Sequence, residues 1–582
     1  MNQKGKRVKQ KRRASIGGRI HWVLLFFFAA FGALVIRVFL LGVIHHGFYL
    51  DIAAKQHRDI KEIFPERGTV LAQDKEKNRI PLAINRIYKN VAVIPSQIKN
   101  AGEVIEFFSR EFGVRQEDIA AKIAKKDDPY ELVLKKLDPD LVRKAEEEKV
   151  AGVLFEEERR RIYPHTALAA HVLGFVSKEK DEEIGKYGIE RMFQQELSGK
   201  KGIIASSREA DNFWASLGNQ IIRSSRNGSD ILLTIDYNIQ TRAEDVLAKT
   251  REKWQAASGE ILVLDPATGK ILALAVLPNF DPNEYSKEKD FSIFLNPAAE
   301  SMYEFGSVVK PLTMAAALEE EKVTPETTYH DLGEVKIGGY TIKNFDERAY
   351  GTQTMTQVIE KSLNTGMVFV ARLVGKEKQY EYLKRFGLGQ KTGIDLPGEI
   401  SGDIANLRSG AGRDINFATA SFGQGIAVTP IQLASAIGTI AHKGIRMHPY
   451  VVESIFDDSG KEIKKEPKEI QRVISPETAE AITKMLVSAV RNGFENRAGI
   501  KGYFVAGKTG TAQMPRPDGK GYSEDVVHTF VGYAPAFNPK FLILIQLNKP
   551  KGNRFAANTL TPAFHDLAEF ILNYYEVPPD EK

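Results

Sequence analysis

A chain of 582 residues is too long for one ordinary hydrophobic core, and 43% hydrophobic with 27% charged residues is a globular composition, neither disordered nor fibrous. The formal net charge of +6 gathers at the start, where residues 1–21 carry Lys4, Lys6, Arg7, Lys9, Lys11, Arg12, Arg13 and Arg19 and no acidic residue; the remainder is near neutral, so no nucleic-acid-binding body is indicated. The chain has no cysteine, which excludes a disulfide framework, a Cys-ligated zinc site and a thiol nucleophile.

Residues 22–44 are apolar except for Arg37, which predicts a single membrane-spanning helix. The run is too long for a signal-peptide core and leads into His45-His46, not a small-residue cleavage site. Its basic N-terminal flank places residues 1–21 in the cytoplasm and everything after Ile44 outside, in a single-pass topology at the cytoplasmic membrane. Arg37, near the outer end, can snorkel to the interface or pair with a partner's helix. Residues 45–236 mix short β-type runs, such as 90–95, with charged helical ones at 103–112 and 138–148, a mixed α+β module without a catalytic cluster.

The pattern changes after Asp236. Residues 259–276 hold two apolar β-type runs joined by Asp265-Pro-Ala-Thr-Gly269, a hairpin signal. Helical stretches follow at 311–320, 356–373, 430–442 and 475–490, and strand candidates at 528–534 and 540–546 close the pattern. The last, with its Phe-Leu-Ile-Leu-Ile core, has the content of a buried central strand. Strands at both ends with helices between predict one α/β domain over 237–575 whose sheet joins its two ends, followed by a short tail at 576–582.

Ser-x-x-Lys occurs five times in this chain, so the spacing alone is uninformative. Only Ser307-Val-Val-Lys310 sits between a Phe305-Gly306 turn and a strongly apolar helix. Glycine permits the tight turn, a serine in the first helical turn lies near free N–H groups and the positive dipole end, and i,i+3 spacing puts the amine beside the hydroxyl. A desolvated lysine loses its charge readily and can act as general base. Ser362-Leu-Asn364, in a helical stretch, supplies a second hydroxyl and an amide. Lys508-Thr509-Gly510-Thr511, after a β-type run at 503–506, supplies a fixed positive charge, two hydroxyls for a carboxylate, and a glycine past which a substrate backbone could approach. Lys391-Thr-Gly393 has the same letters but precedes Ile-Asp-Leu-Pro-Gly and reads as a turn. His442 and His528 lack metal-ligand spacing; no metal and no cofactor is expected.

This ordered set resembles the signature of the penicillin-recognising serine enzymes. The chain is similar within that group to the class B penicillin-binding proteins over roughly residues 35–570, through Glu66-Arg-Gly-Thr-Val70, Tyr187-Gly-Ile-Glu190, Leu232-Leu-Thr-Ile-Asp236, the hairpin block followed by Pro278-Asn-Phe-Asp-Pro-Asn283, and Ser421-Phe-Gly-Gln-Gly-Ile-Ala-Val-Thr-Pro430. It departs from the family pattern at Phe305, where many relatives have proline. The resemblance implies an α+β transpeptidase domain with a central antiparallel sheet flanked by helices, preceded by a dimerisation or pedestal module and one transmembrane helix. It implies Ser307 as nucleophile, Lys310, Ser362, Asn364 and Lys508 as catalytic partners, and Thr509, Gly510 and Thr511 as binders of the donor peptide. The implied partners are peptidoglycan stem peptides, β-lactams, the membrane, a glycan polymerase of the shape, elongation, division and sporulation (SEDS) type and other division proteins. A division role is expected, with an elongation-type transpeptidase, or an idle wall-assembly scaffold or β-lactam sensor, as alternatives.

Overall fold

The computed structural model describes residues 16–41, 58–179, 182–207, 220–408, 413–493, 496–516 and 521–581. The basic tail up to residue 15 and the end of the expected spanning segment, 42–44 with His45-His46, lie outside the described residues. The chain divides into two compact units, one made of Met1–Pro65 with Lys200–Arg226 and the other of Glu66–Gly199 with Asn227–Lys582.

In the first unit Ile16–Phe39 form a helix whose apolar side chains from Leu24 onward stand exposed. Among the described residues no helix is long and apolar enough to cross a membrane. The same unit holds a three-stranded antiparallel sheet, with Gly202–Ser207 between Arg58–Ile63 and Gln220–Arg223.

The second unit opens on a mixed sheet. Val70–Gln73 runs parallel to Asp230–Asp236 and antiparallel to the long strand Arg79–Val93, which pairs in turn with Glu131–Leu137 and Val153–Ile162. Val452–Phe456, from late in the chain, adds to this sheet beside Asp230–Asp236. The helices anticipated from charge patterning form at Ala101–Phe112, capped by the Asn100 side chain, and at Pro139–Glu147, capped by Asp138. Their apolar faces meet the strands in a small separate core around Val91, Phe107, Phe108 and Val142.

The larger core is built on a five-stranded, wholly antiparallel sheet. Strands β1 (Ser258–Leu264) and β2 (Ile271–Leu277) form the anticipated hairpin, closed by Asp265 N–H to Lys270 O at 2.9 Å. Strands β3 (Ala506–Pro515), β4 (Tyr522–Ala534) and β5 (Phe541–Asn548) complete it in the order β2-β1-β5-β4-β3. β5 is central and buried along its whole length, and it pairs with β1, so the two ends of the domain meet as the pattern predicted. Helix α1 (Lys310–Glu319) is apolar almost all round and buried from Lys310 to Ala317. The expected helix over 356–373 is broken: Met355–Glu360 stop before Ser362, and helix α2 (Asn364–Val374) begins after it. Helix α3 (Ala556–Tyr574) packs on the other side, with Leu560, Phe564 and Leu567 in the core.

Candidate active site

The nucleophile candidate sits on a tight turn. Gly306 has φ +59°, in the left-handed region that favours glycine, and residues Gly306–Val309 make one 3₁₀ turn that runs into α1. Two contacts fix that turn. Gly306 N–H donates to Gly423 O at 3.1 Å, and a Cβ on Gly423 would lie 2.2 Å from Gly306 O, so the Ser421-Phe-Gly-Gln-Gly block is pressed against it. On its other side lies β3: a Cβ on Gly306 would be 3.3 Å from Thr511 O, and one on Gly510 would be 2.4 Å from Phe305 O. Gly510 is therefore needed for the close approach of strand and turn, a role beside the expected one of making room for a substrate backbone.

Lys310 is wholly buried. Its Nζ donates to Ser362 O at 2.5 Å, Asn364 Oδ1 at 2.9 Å and Ser362 Oγ at 3.2 Å. Ser362 can present both oxygens to one amine because its own backbone is left-handed, with φ +56°. A non-glycine residue there costs on the order of 1–3 kcal/mol, a strain that accumulates at functional sites. The Ser-x-Asn element thus acts from a kink between two helices, not from within one. Behind it, Asn364 Nδ2 donates to Lys343 O at 2.9 Å, and Thr365 Oγ1 donates to buried Asp331 at 2.6 Å, a brace that the sequence reading missed.

Lys508 lies within β3 itself, the edge strand of the sheet, where the sequence reading put its motif just after a strand. Its Nζ, also wholly buried, reaches Ser362 Oγ at 3.0 Å and Thr509 O at 3.1 Å. Ser362 Oγ therefore bridges the two lysines. Burial, and then the neighbouring Lys508 charge, hold the Lys310 amine well below its ordinary pKa, while burial brings Lys508 down to about 7. Of the two, Lys310 is the one disposed to be neutral. A neutral amine keeps two N–H donors, matching Ser362 O and Asn364 Oδ1, and one lone pair free to take a proton.

Ser307 is half-buried at the start of this array. Thr509 is half-buried, and Thr511 Oγ1 accepts Ala556 N–H at 3.2 Å, which ties the strand to the start of α3. The structure brings Lys310, Ser362, Asn364 and Lys508 into one hydrogen-bonded group, with the Ser307 turn packed against Gly510 and Thr511. Lys391-Thr-Gly393 lies in no strand, with Gly393 at φ +82°, as its turn reading implied. His528 is buried in packing, its Nδ1 2.9 Å from Thr559 Oγ1.

A serine ahead of two desolvated lysines that share a second hydroxyl, at the edge of an antiparallel sheet, makes a serine acyl-transfer site. Two family models match the chain: the penicillin binding protein transpeptidase domain over residues 259–569 and the penicillin-binding protein dimerisation domain over residues 62–233. The chain belongs to the class B penicillin-binding proteins. It is 32% identical to the stage V sporulation protein D of Bacillus subtilis over 88% of this chain and 79% of that one. It is 27% identical to the peptidoglycan D,D-transpeptidase FtsI of Escherichia coli, covering 90% and 86% of the two chains. Among solved structures it resembles penicillin-binding protein 3 of Mycobacterium tuberculosis complexed with aztreonam, with TM-score 0.69 and 26% identity over 89% of this chain and 98% of that one.

Proposed function

We infer that this chain is a serine-type peptidoglycan D,D-transpeptidase that β-lactams acylate. The observation that carries the reading is the Ser362 hydroxyl held between Lys310 and Lys508. Lys310, as the free base, takes the Ser307 proton while Oγ attacks the penultimate D-Ala carbonyl of a stem peptide. The proton then passes through Ser362, with Lys508 polarising its oxygen, to the departing D-Ala nitrogen. The C–N bond breaks and Ser307 carries the acyl group. An amine of a second stem attacks that ester, forms the cross-link and returns the serine. Asn364 orients the donor backbone, and Thr509 and Thr511 receive its terminal carboxylate. The Ser307 and Thr511 N–H groups, from the turn and strand that Gly510 lets meet, stabilise the oxyanion.

The apolar run at 22–44 behind a basic flank supports a single cytoplasmic-membrane anchor with residues after it outside, where the polymer lies. The transpeptidase and dimerisation domains supply no glycan-polymerising part, so a polymerase of the SEDS type and other division proteins are the proposed partners. A division role is the proposed one, and the name of one relative, stage V sporulation protein D, supports a sporulation role beside it; complementing a division-blocked against a sporulation-blocked strain separates the two.

The direct test supplies the detergent-solubilised chain with a donor stem peptide ending in D-Ala-D-Ala and an acceptor amine. D-Ala release with a cross-linked product from the wild type and neither from Ser307→Ala is expected. A wild type that binds but never releases D-Ala would turn the reading to a sensor or scaffold.

A further inference from the structure

The nucleophile turn rests on a row of polar side chains that the reaction does not use. Register across the sheet aligns Glu260 on β1 with Gln546 on β5, Gln546 with Thr529 on β4, and Thr529 with Gly510 on β3. Directly paired residues of antiparallel strands share one face. That face is the one covered by the turn, because a Cβ on Gly510 would meet Phe305 O. Tyr303, two residues earlier, is half-buried and lies near enough to feel the Glu260 charge.

Glu260 is 2% exposed, and Gln546 and Thr529 are fully buried. Both Glu260 carboxyl oxygens, Gln546 Oε1 and Thr529 Oγ1 have no hydrogen-bond partner among the described residues. The Gln546 amide is fixed with its oxygen free, since Nε2 donates to Asn548 Oδ1 at 2.9 Å and Asn548 Nδ2 donates onward to Ser258 Oγ at 2.8 Å. Buried polar atoms are rarely left unsatisfied, and a buried carboxylate needs a counter-charge.

We propose that Glu260, Gln546 and Thr529 form a binding site for one monovalent metal cation, sodium or potassium, beneath the turn that carries Ser307. The donor set is all oxygen, the preference of hard cations over zinc or copper. A single carboxylate neutralises a single positive charge, whereas a divalent ion would leave a net charge in the core. No metal was expected from the absence of cysteine and of histidines at metal-ligand spacing; a site with one acidic residue and two neutral oxygen donors on three separate strands shows neither signal. Burial pushes the free carboxyl up to about 8, so a bound cation displaces a proton there.

The test is the melting of the full chain in detergent at pH 8.5 and one fixed ionic strength, in sodium chloride, potassium chloride and N-methylglucamine chloride. A ligand bound only by the folded state raises the melting temperature, so the wild type is expected to melt at least about 2 °C higher in sodium or potassium. Glu260→Gln is expected to melt alike in all three salts. If that variant does not fold, Thr529→Val, which removes one donor at constant shape, is expected to shrink the difference. Equal melting of the wild type in all three salts overturns the proposal, as does a folded Glu260→Gln that keeps the full difference. The readout does not involve acylation, so it stands or falls apart from the transpeptidase reading.

Discussion

Two places in the same compact unit bury cationic side chains, and they treat them in opposite ways. Beside the dimerisation-domain strands, Glu190 is wholly buried between two guanidiniums, with Arg67 Nε at 2.7 Å and Arg161 Nε at 2.6 Å, and Tyr163 completes the group at 3.3 Å. Burial alone would raise the Glu190 carboxyl; Arg161 and Arg67 outweigh it and hold the group below its ordinary value. In the transpeptidase site, by contrast, Lys310 is equally buried, yet among the described residues its amine is bonded to hydroxyl, amide and carbonyl oxygens, and no carboxylate is among them. A paired ion keeps its charge and fixes a fold. A cation denied its counter-ion tends to lose its proton, and a lysine in that state is a base.

The comparison can be broken most forcefully at Lys310. Replacing it by Met should slow penicillin acylation about 10³-fold or more, the scale of a lost general base, without lowering the melting temperature. Near-normal acylation would show the buried lysine to be packing. Next in size is Glu190→Gln, which leaves two guanidiniums facing a neutral amide. It should cost about 3–5 kcal/mol in denaturant unfolding while the folded fraction acylates at the wild-type rate. Because the folded Glu190 pKa lies below its unfolded value, its contribution in the wild type is present above the ordinary carboxylate range and is lost as pH falls through the folded value.

Gly510→Ala forces strand and turn apart, and it should slow acylation by about 10- to 100-fold, as small misplacements at reacting centres do. The smallest effect has the opposite sign. Lys508→Met should raise the melting temperature at neutral pH by a few degrees, at about 2–4 °C per kcal/mol for a domain of this size, while impairing acylation. Between about 7 and the ordinary 10.5 the unfolded wild type binds the proton that folded Lys508 has released. Wild-type stability therefore rises with pH across that window through this group, and the advantage of the variant should shrink as pH rises.

Composition and periodicity made much of this legible. The hairpin at 259–276, the buried strand at 541–548 and their pairing were visible because apolar runs bounded by turn residues have few other uses. Ser307 and Lys310 were legible from helical spacing in an apolar context. What stayed hidden depends on contacts distant in sequence. Nothing local to Ser362 announces its left-handed backbone, and helix-forming neighbours on both sides masked the break. The packing of Gly510 against Phe305 O also stayed hidden, because a glycine that admits a turn of the same protein looks, in sequence, like one that admits a ligand. Arg67, Arg161 and Glu190 are scattered over more than a hundred residues, and only the fold assembles them.

The central claim is that Ser307, and no other serine, is the nucleophile activated by this lysine pair. Intact-mass analysis with peptide mapping after brief exposure to benzylpenicillin tests it most directly. A single penicilloyl adduct on the peptide containing Ser307, absent from Ser307→Ala, is the predicted result. An adduct on a different serine, or equal modification of the Ser307→Ala chain, would contradict it.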